Sequence, residues 1–223
     1  MQKRSLAILG SGWHPPLFRE EARALLGPIE VLHQRMAFFT QSDEVIDRIS
    51  GASLIDEALN STSRLWVYNQ GITADEVASH VAEWAKSFLP EGTFSIRARR
   101  LGSGVGSLSR REIETITGAK IFSETKPVNL EKPDHEVIVV LAGPEDSPSQ
   151  WDERESGELI LWGLRDSVSI GTYNGPSPTE RPFFKPVTLD PRLARLLVCL
   201  SFSRGKPSVI VDPFCGTGGI AIE

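Results

Sequence analysis

The sequence has few of the residues that build metal centres and disulfide frameworks. It contains two cysteines, Cys199 and Cys215, and four scattered histidines among its 223 residues. Neither set has the close spacing of metal ligands, and two cysteines cannot form the framework of a small secreted domain. We therefore expect no metal ion and a reducing, cytoplasmic environment.

Long hydrophobic runs are also absent, and no run approaches the ~20 residues of a membrane span. The basic N-terminus is followed by an apolar run too short for a signal peptide, so we expect no membrane association. The net charge is −5, which excludes recruitment of nucleic acid by an overall positive field. Any nucleic-acid site must therefore be a local basic patch. The length and the 40% hydrophobic content suffice for two compact domains or one large one.

The first 70 residues have a βαββαβ rhythm, which predicts a small open sheet with helices on one face. The expected elements are strands over Ser5–Leu9, Ile29–Leu32, Met36–Thr40 and Leu65–Tyr68, and helices over Leu17–Leu26 and Asp43–Ile49, the latter capped by Ser42. We find no chemistry in this part of the chain. Trp13, beside His14 in a loop, is expected in the core, although a ligand contact is the alternative.

Residues 93–126 contain a local excess of positive charge and follow a predicted helix. Thr73 and Glu76 form a capping box that opens a helix to about Phe88, with an apolar stripe from Val77 to Phe88. A strand over Thr93–Arg99 places alternate residues on opposite faces, and a glycine-rich loop and a helix from Ser109 follow. From position 93 to 126 the basic residues are Arg97, Arg99, Arg100, Arg110, Arg111, Lys120 and Lys126. Seven basic residues against three acidic ones leave a net +4, which suits phosphate recognition. A solvated face is the alternative, and the commoner one for such a run taken alone.

The order of these pieces resembles the RNA-binding THUMP domain. The resemblance rests on the strand with its arginines, on Ser109-Arg110-Arg111, on Gly118-Ala119-Lys120-Ile121, and on Val128-Asn129-Leu130 followed by Pro133-Asp134. Asn129 departs from the pattern, which more often has aspartate there. The match spans roughly residues 70–165 and implies a ferredoxin-like domain before it. Such a pair of domains holds the acceptor end of a tRNA, so the seven basic residues are the expected RNA contacts.

The C-terminal stretch combines a β-branched run, Ser208–Val211, with a glycine-rich loop and a helical turn over Ile220–Glu223. A strand, a loop without side chains and a helix N-terminus together suit a nucleotide-like cofactor. The letters from Gly216 to Ala221 also fit the dinucleotide pattern G-x-G-x-x-A, so a nucleotide-dependent oxidoreductase is an alternative. A tight turn without a ligand is the other.

The lead-in Asp212-Pro213-Phe214-Cys215 before the glycines resembles the cofactor loop of class I S-adenosylmethionine (SAM)-dependent RNA and DNA amino-methyltransferases. By this resemblance the cofactor is SAM, and the residues that bind it are Asp212, Pro213, Phe214, Gly216, Thr217, Gly218 and Gly219. Cys215 as a covalent nucleophile is a weaker alternative, because no acidic or basic partner is near it in the sequence.

The segment Arg181–Pro186, continued by Leu193-Ala194-Arg195, resembles the opening of the methyltransferase domain in tRNA guanine-N2 enzymes, although Lys185 stands where histidine is usual. Asp190 and Pro191 are expected to start a helix. The family's Asp/Asn-Pro-Pro-Tyr motif does not occur in the 223 residues. We therefore assign no catalytic residue and expect a truncated methyltransferase part.

The expected fold class is α+β: a ferredoxin-like domain over residues 1–70, a THUMP domain over 71–166, a linker over 167–182 and the start of a Rossmann-like methyltransferase domain over 183–223. The leading hypothesis is the tRNA-binding portion of a SAM-dependent tRNA guanine-N2-methyltransferase acting at guanosine 10, with a small activator subunit as a further partner. The alternative is a non-catalytic RNA-binding THUMP protein whose methyltransferase segment is vestigial.

Overall fold

The computed structural model describes residues 4–41, 48–68, 71–145, 157–166, 188–202 and 209–223. The strands are β1 (Arg4–Gly10), β2 (Glu30–His33), β3 (Met36–Gln41), β4 (Ile55–Val67), β5 (Phe94–Leu101), β6 (His135–Ala142) and β7 (Glu158–Arg165). The helices are α1 (Pro15–Leu26), α2 (Ala74–Phe88), α3 (Arg110–Ile121), α4 (Pro191–Leu200) and α5 (Gly219–Ile222). The expected α+β class is confirmed. In the described part of the chain, no helix is long and apolar enough to cross a bilayer.

The chain divides into two compact units. The first comprises Met1–Arg4, Ile8–Ala58 and Ser167–Glu223, and the second comprises Ser5–Ala7 and Leu59–Asp166. The first unit therefore joins residues from both ends of the sequence.

The strands that contribute to the first unit have the order β2-β3-β1-β4, although residues 5–7 of β1 and 59–67 of β4 belong to the second unit. This order agrees with the ferredoxin-like expectation. The hairpin of β2 and β3 is antiparallel, with Glu30 opposite Phe38. α1 buries Phe18, Ala22, Leu25 and Leu26, the side predicted from the apolar spacing. The predicted helix over Asp43–Ile49 lies mostly outside the described residues.

In the second unit the strand order is β4-β7-β6-β5. β5 and β6 run parallel, because α3 carries the chain from one to the other, and the remaining pairs are antiparallel. One face of the sheet supplies Phe94, Ile96 and Ala98 to a core shared with α2 and α3. The alternation predicted for this strand is thus confirmed, and it leaves Arg97 and Arg99 on the opposite face.

Two helix starts follow from local rules. Thr73 and Glu76 form the predicted reciprocal capping box at α2, and Asp190 accepts a hydrogen bond from Leu193 N at 3.2 Å to cap α4. The apolar stripe of α2 buries Val77, Val81 and Trp84. Phe88, predicted at the end of that stripe, is 50% exposed because the helix ends there. It stacks on Trp84 instead.

Two further sequence predictions are wrong. Trp13, expected in the core, is 58% exposed, because it follows Gly12 in a loop that faces solvent. The strand expected over Ser208–Val211 is not formed at residues 209–211, where Val209 is 94% exposed. A β-branched run gives a strand only beside a pairing partner, and the described residues offer none at this position.

Candidate nucleic-acid and cofactor sites

A loop connects β5 to α3, and four of the predicted arginines flank it in the sequence. β5 ends at Leu101 and α3 begins at Arg110, so Arg99 and Arg100 precede the loop and Arg110 and Arg111 follow it. The loop backbone is fixed: Ser103 N donates to Pro144 O at 2.7 Å, and Gly106 N donates to Glu158 Oε1 at 3.0 Å.

Glycine is required at the base of this loop. A Cβ on Gly143 would lie 1.7 Å from Gly104 O, and one on Gly102, whose φ is +55°, would lie 2.4 Å from Gly143 O. Backbone segments at such close approach leave no room for a side chain. The positions of the flanking arginines are therefore set by backbone contacts.

The N-terminus of α3 presents exposed cations. Arg110 and Arg111 are both exposed, and Ser109, the residue before the helix, makes no side-chain capping bond. A cation at a helix N-terminus opposes the helix dipole, so this arrangement favours an external anion. Further along α3, Glu114 Oε1 accepts a hydrogen bond from Ala98 N at 2.8 Å, and the fully buried Ile113 anchors the same turn in the core.

The other predicted cations are partly engaged within the protein. Arg97 donates from Nη2 to Leu130 O at 2.7 Å, and its Nε lies 3.8 Å from Glu136 Oε1. Arg100 donates to Ser103 O, and Arg99 is half-buried.

Lys120 lies in the last turn of α3, about 15 Å from the first turn at 1.5 Å per residue, and Lys126 follows the helix. Lys120 forms a 2.9 Å ion pair with Asp75, and Lys126 donates to Ala85 O at 3.3 Å. Lys120 is therefore bonded near the start of α2 and Lys126 near its end.

Asn129, the departure from the expected motif, has a structural role that aspartate could fill only in part. Its Oδ1 accepts hydrogen bonds from Glu131 N and Lys132 N, both at 3.1 Å. Its Nδ2 donates to Lys132 O at 2.9 Å, a bond that a carboxylate cannot make.

Asp134, at the end of the same motif, accepts from Thr93 N at 2.8 Å and Thr93 Oγ1 at 2.7 Å. The Thr93 hydroxyl and amide lower the pKa of this carboxyl below its usual value, since both donors stabilise the ionised form.

The C-terminal glycine loop is open to solvent. Asp212 Oδ1 accepts from Phe214 N at 3.1 Å, and Gly218 N donates to Cys215 O at 2.7 Å. Gly216 and Gly218 have φ values of +53° and +75°, which only glycine adopts without strain. Thr217 Oγ1 lies 3.3 Å from Thr188 Oγ1.

The predicted cofactor residues thus lie in the loop 212–218 and at the first residue of α5. Phe214 is 92% exposed, Pro213 is exposed, and Gly219 is buried. A Cβ at Gly218 would meet nothing within 4 Å. A ligand therefore has room to approach the backbone of this loop. Among the residues that the structure describes, no group of three or more His, Cys, Asp and Glu side chains could hold a metal ion.

The sequence interpretation missed the acidic residues that support the basic surface of β5 and α3. Glu114, Glu136 and Glu158 each contact the basic strand, an arginine or the loop, whereas in a charge count they only subtract from the patch. No short-range pattern marks them, because their partners lie 16, 39 and 52 residues away.

Family models match two separate parts of the chain. Residues 73–143 match the THUMP domain, and residues 178–223 match the RMKL-like methyltransferase domain. The chain carries a THUMP domain followed by an RMKL-like methyltransferase segment. The THUMP domain and the methyltransferase segment predicted from the sequence motifs are both confirmed.

Similar proteins agree with both assignments. A tRNA (guanine(10)-N2)-dimethyltransferase of Methanothermobacter thermautotrophicus is 31% identical over 195 residues, covering 87% of this chain and 46% of that protein. One of the same name from Pyrococcus abyssi is 32% identical over 143 residues, covering 63% of this chain and 36% of the relative. The chain thus spans less than half the length of these two relatives.

Among solved structures, SMU.472, described as a methyltransferase and complexed with SAH, has a TM-score of 0.52 at 17% identity. It covers 100% of this chain and 55% of its own. This likeness supports the fold of the THUMP and methyltransferase parts.

Proposed function

We propose that this chain is the tRNA-binding portion of a SAM-dependent tRNA guanine-N2-methyltransferase, with guanosine 10 as the target. The main support for this proposal is that a THUMP domain and a methyltransferase segment occur in one chain. The same chain aligns over 195 residues with a tRNA (guanine(10)-N2)-dimethyltransferase. We place the enzyme in the cytoplasm, with a small activator subunit as a further partner.

The THUMP domain supplies the RNA-binding surface in this proposal. Its most available cations are Arg110 and Arg111, because they are exposed at the first turn of α3, where the backbone N–H groups also favour phosphate. Arg97, Arg99 and Arg100 on β5 extend the same surface, and Lys120 and Lys126, which both bond to α2, complete the predicted set. Arg97 contributes less, because it already bonds to Leu130 O and lies near Glu136.

The glycine loop supplies part of the SAM site. The backbone from Asp212 to Gly219 would hold the methionine and ribose side of the cofactor, and Asp212 orients the loop through its bond to Phe214 N. SAM supplies the methyl group for the exocyclic amine when bound. The 223 residues contain no Asp/Asn-Pro-Pro-Tyr motif, so we expect RNA binding but no methyl transfer from this chain alone.

Titration of a tRNA transcript into the purified chain tests the RNA-binding part. Arg110→Ala is expected to weaken binding and to reduce the slope of log K against log salt concentration by up to about 0.9, the value for one duplex phosphate contact. Arg23→Ala is the matched control, since it removes the same charge from the exposed face of α1. Equal loss of affinity in the two variants would show that the surface at α3 is not the binding site.

A further inference from the structure

A buried carboxylate in α1 fixes the short loop before β4. Glu21 is fully buried, and its two oxygens accept hydrogen bonds from Ser53 N and Leu54 N, both at 2.7 Å. The thiol of Cys199 in α4 also donates to it. Burial raises the pKa of Glu21, while these donors oppose the rise. Two charge-assisted bonds to adjacent amides leave residues 51–54 little freedom.

This loop turns its carbonyls towards α4. Gly51 O accepts a hydrogen bond from Arg195 Nε at 2.7 Å, and Ser53 O accepts one from Arg192 Nε at 3.1 Å. Ser53 Oγ in turn donates to Arg192 O at 2.8 Å. Residues separated by about 140 positions in the sequence therefore form one interface inside the first unit.

Gly51 is needed for this contact for two reasons. Its φ is +80°, and a Cβ at this position would lie 3.0 Å from Arg195 Nη2. Any side chain would strain the backbone and press against the guanidinium. The loop is therefore shaped to receive Arg195.

Arg195 also reaches the end of the glycine loop. Its Nη1 donates to Glu223 O at 2.7 Å, directly after α5, and α5 follows Gly218 without a break. One guanidinium thus bonds to the main-chain oxygen of Gly51 and to the main-chain oxygen of Glu223, next to α5. Arginine suits this role because its planar fork offers several donors in fixed directions.

We propose that Arg195 is a positioning residue that couples the loop 51–54 of the N-terminal segment to the glycine loop 212–219. The N-terminal segment then sets the orientation of α5, and with it the backbone that faces the methyl donor. The identity of that ligand as SAM rests on the proposed function, whereas the coupling itself does not.

Hydrogen exchange followed by mass spectrometry on the 223-residue chain tests the coupling. Arg195→Ala is expected to speed exchange in peptides covering 216–223 by about tenfold, as for loss of a charge-assisted bond. Gly51→Ala should reproduce this effect while keeping the arginine, and Arg195→Lys should give a smaller one. Arg192→Ala is the matched control: it removes a guanidinium of the same helix that bonds to Ser53 and not to Glu223, so exchange at 216–223 should rise less than in Arg195→Ala.

These measurements distinguish failure of the coupling through Arg195 from failure of the proposed cofactor assignment. Unchanged exchange at 216–223 in Arg195→Ala, or faster exchange spread evenly through α1 and β1 as well, overturns the coupling. In the complete protein, Arg195→Ala should weaken SAH binding about tenfold with tRNA affinity unchanged. If exchange responds as expected but the wild-type protein binds no SAH, the coupling stands and the proposed cofactor is wrong.

Discussion

Removal of the Glu114 carboxylate should weaken both the THUMP domain and the RNA-binding surface proposed for it. β5 is the edge strand of its unit, and Ala98 N donates to Glu114 Oε1 at 2.8 Å. This bond ties the first half of α3, with Arg110 and Arg111, to the strand that carries the other arginines. A hydrogen bond to a charged group contributes about 1.5–3 kcal/mol, and water can replace part of it at a half-buried site. We expect Glu114→Ala to lower the free energy of unfolding by about 1–2 kcal/mol.

Denaturant unfolding measures this loss, with the fluorescence of Trp84 and Trp162 as the signal, because both are buried in the same unit. Glu112→Ala is the matched control: it removes the same charge from an exposed position on the first turn. Its cost should be limited to the helix-dipole contribution of about 0.3–1 kcal/mol.

RNA affinity separates geometry from charge in the same pair of variants. Each variant removes one negative charge, so Coulomb attraction alone predicts tighter RNA binding for both. Because Glu114 also fixes α3 against β5, we expect Glu112→Ala to bind RNA more tightly than the wild type and Glu114→Ala to bind it less tightly. If both variants gain RNA affinity equally, or if their free energies of unfolding do not differ, Glu114 does not fix α3 against β5.

Two further outcomes concern thiols and acid stability. Burial and the neighbouring Glu21 raise the pKa of Cys199 to about 12, so iodoacetamide at pH 8 should modify the exposed Cys215 and spare Cys199 until denaturant is added. Intact mass checks this, and two rapid additions to the native protein would contradict it. The folded-state pKa of Asp134 lies below the usual 3.8, so its stabilising contribution is present above that pH and is lost as the pH falls through the folded value. Asp134→Asn should therefore unfold more easily at pH 7, with the difference from wild type vanishing in acid. A difference that persists at pH 2 would be evidence against the Thr93 bonds as its cause.

Local rules predicted the elements whose stabilising partners are near in the sequence. The capping box of Thr73 and Glu76 and the N-cap at Asp190 each involve residues three positions apart. The alternation of Phe94, Ile96 and Ala98 likewise gave the buried face of β5. In these cases the sequence contains both halves of the interaction within one turn or one strand.

The predictions failed where a distant partner decides the outcome. Val209 and Val211 have strand-forming side chains but no strand beside them among the described residues, and both are exposed. Glu21 and Glu114 form their bonds with backbone amides 32, 33 and 16 residues away. No periodicity marks a carboxylate whose partner is a backbone N–H group, so these supports are visible only in the structure.

A methyl-transfer assay on the complete protein is the sharpest test of the proposed activity. The assay uses labelled SAM and two tRNA transcripts that differ at position 10, one with guanosine and one with inosine, which lacks only the exocyclic amine. We expect label in N2-methylguanosine with the first transcript and none with the second. Equal labelling of both transcripts, or none of either with an intact, tRNA-binding protein, would contradict it.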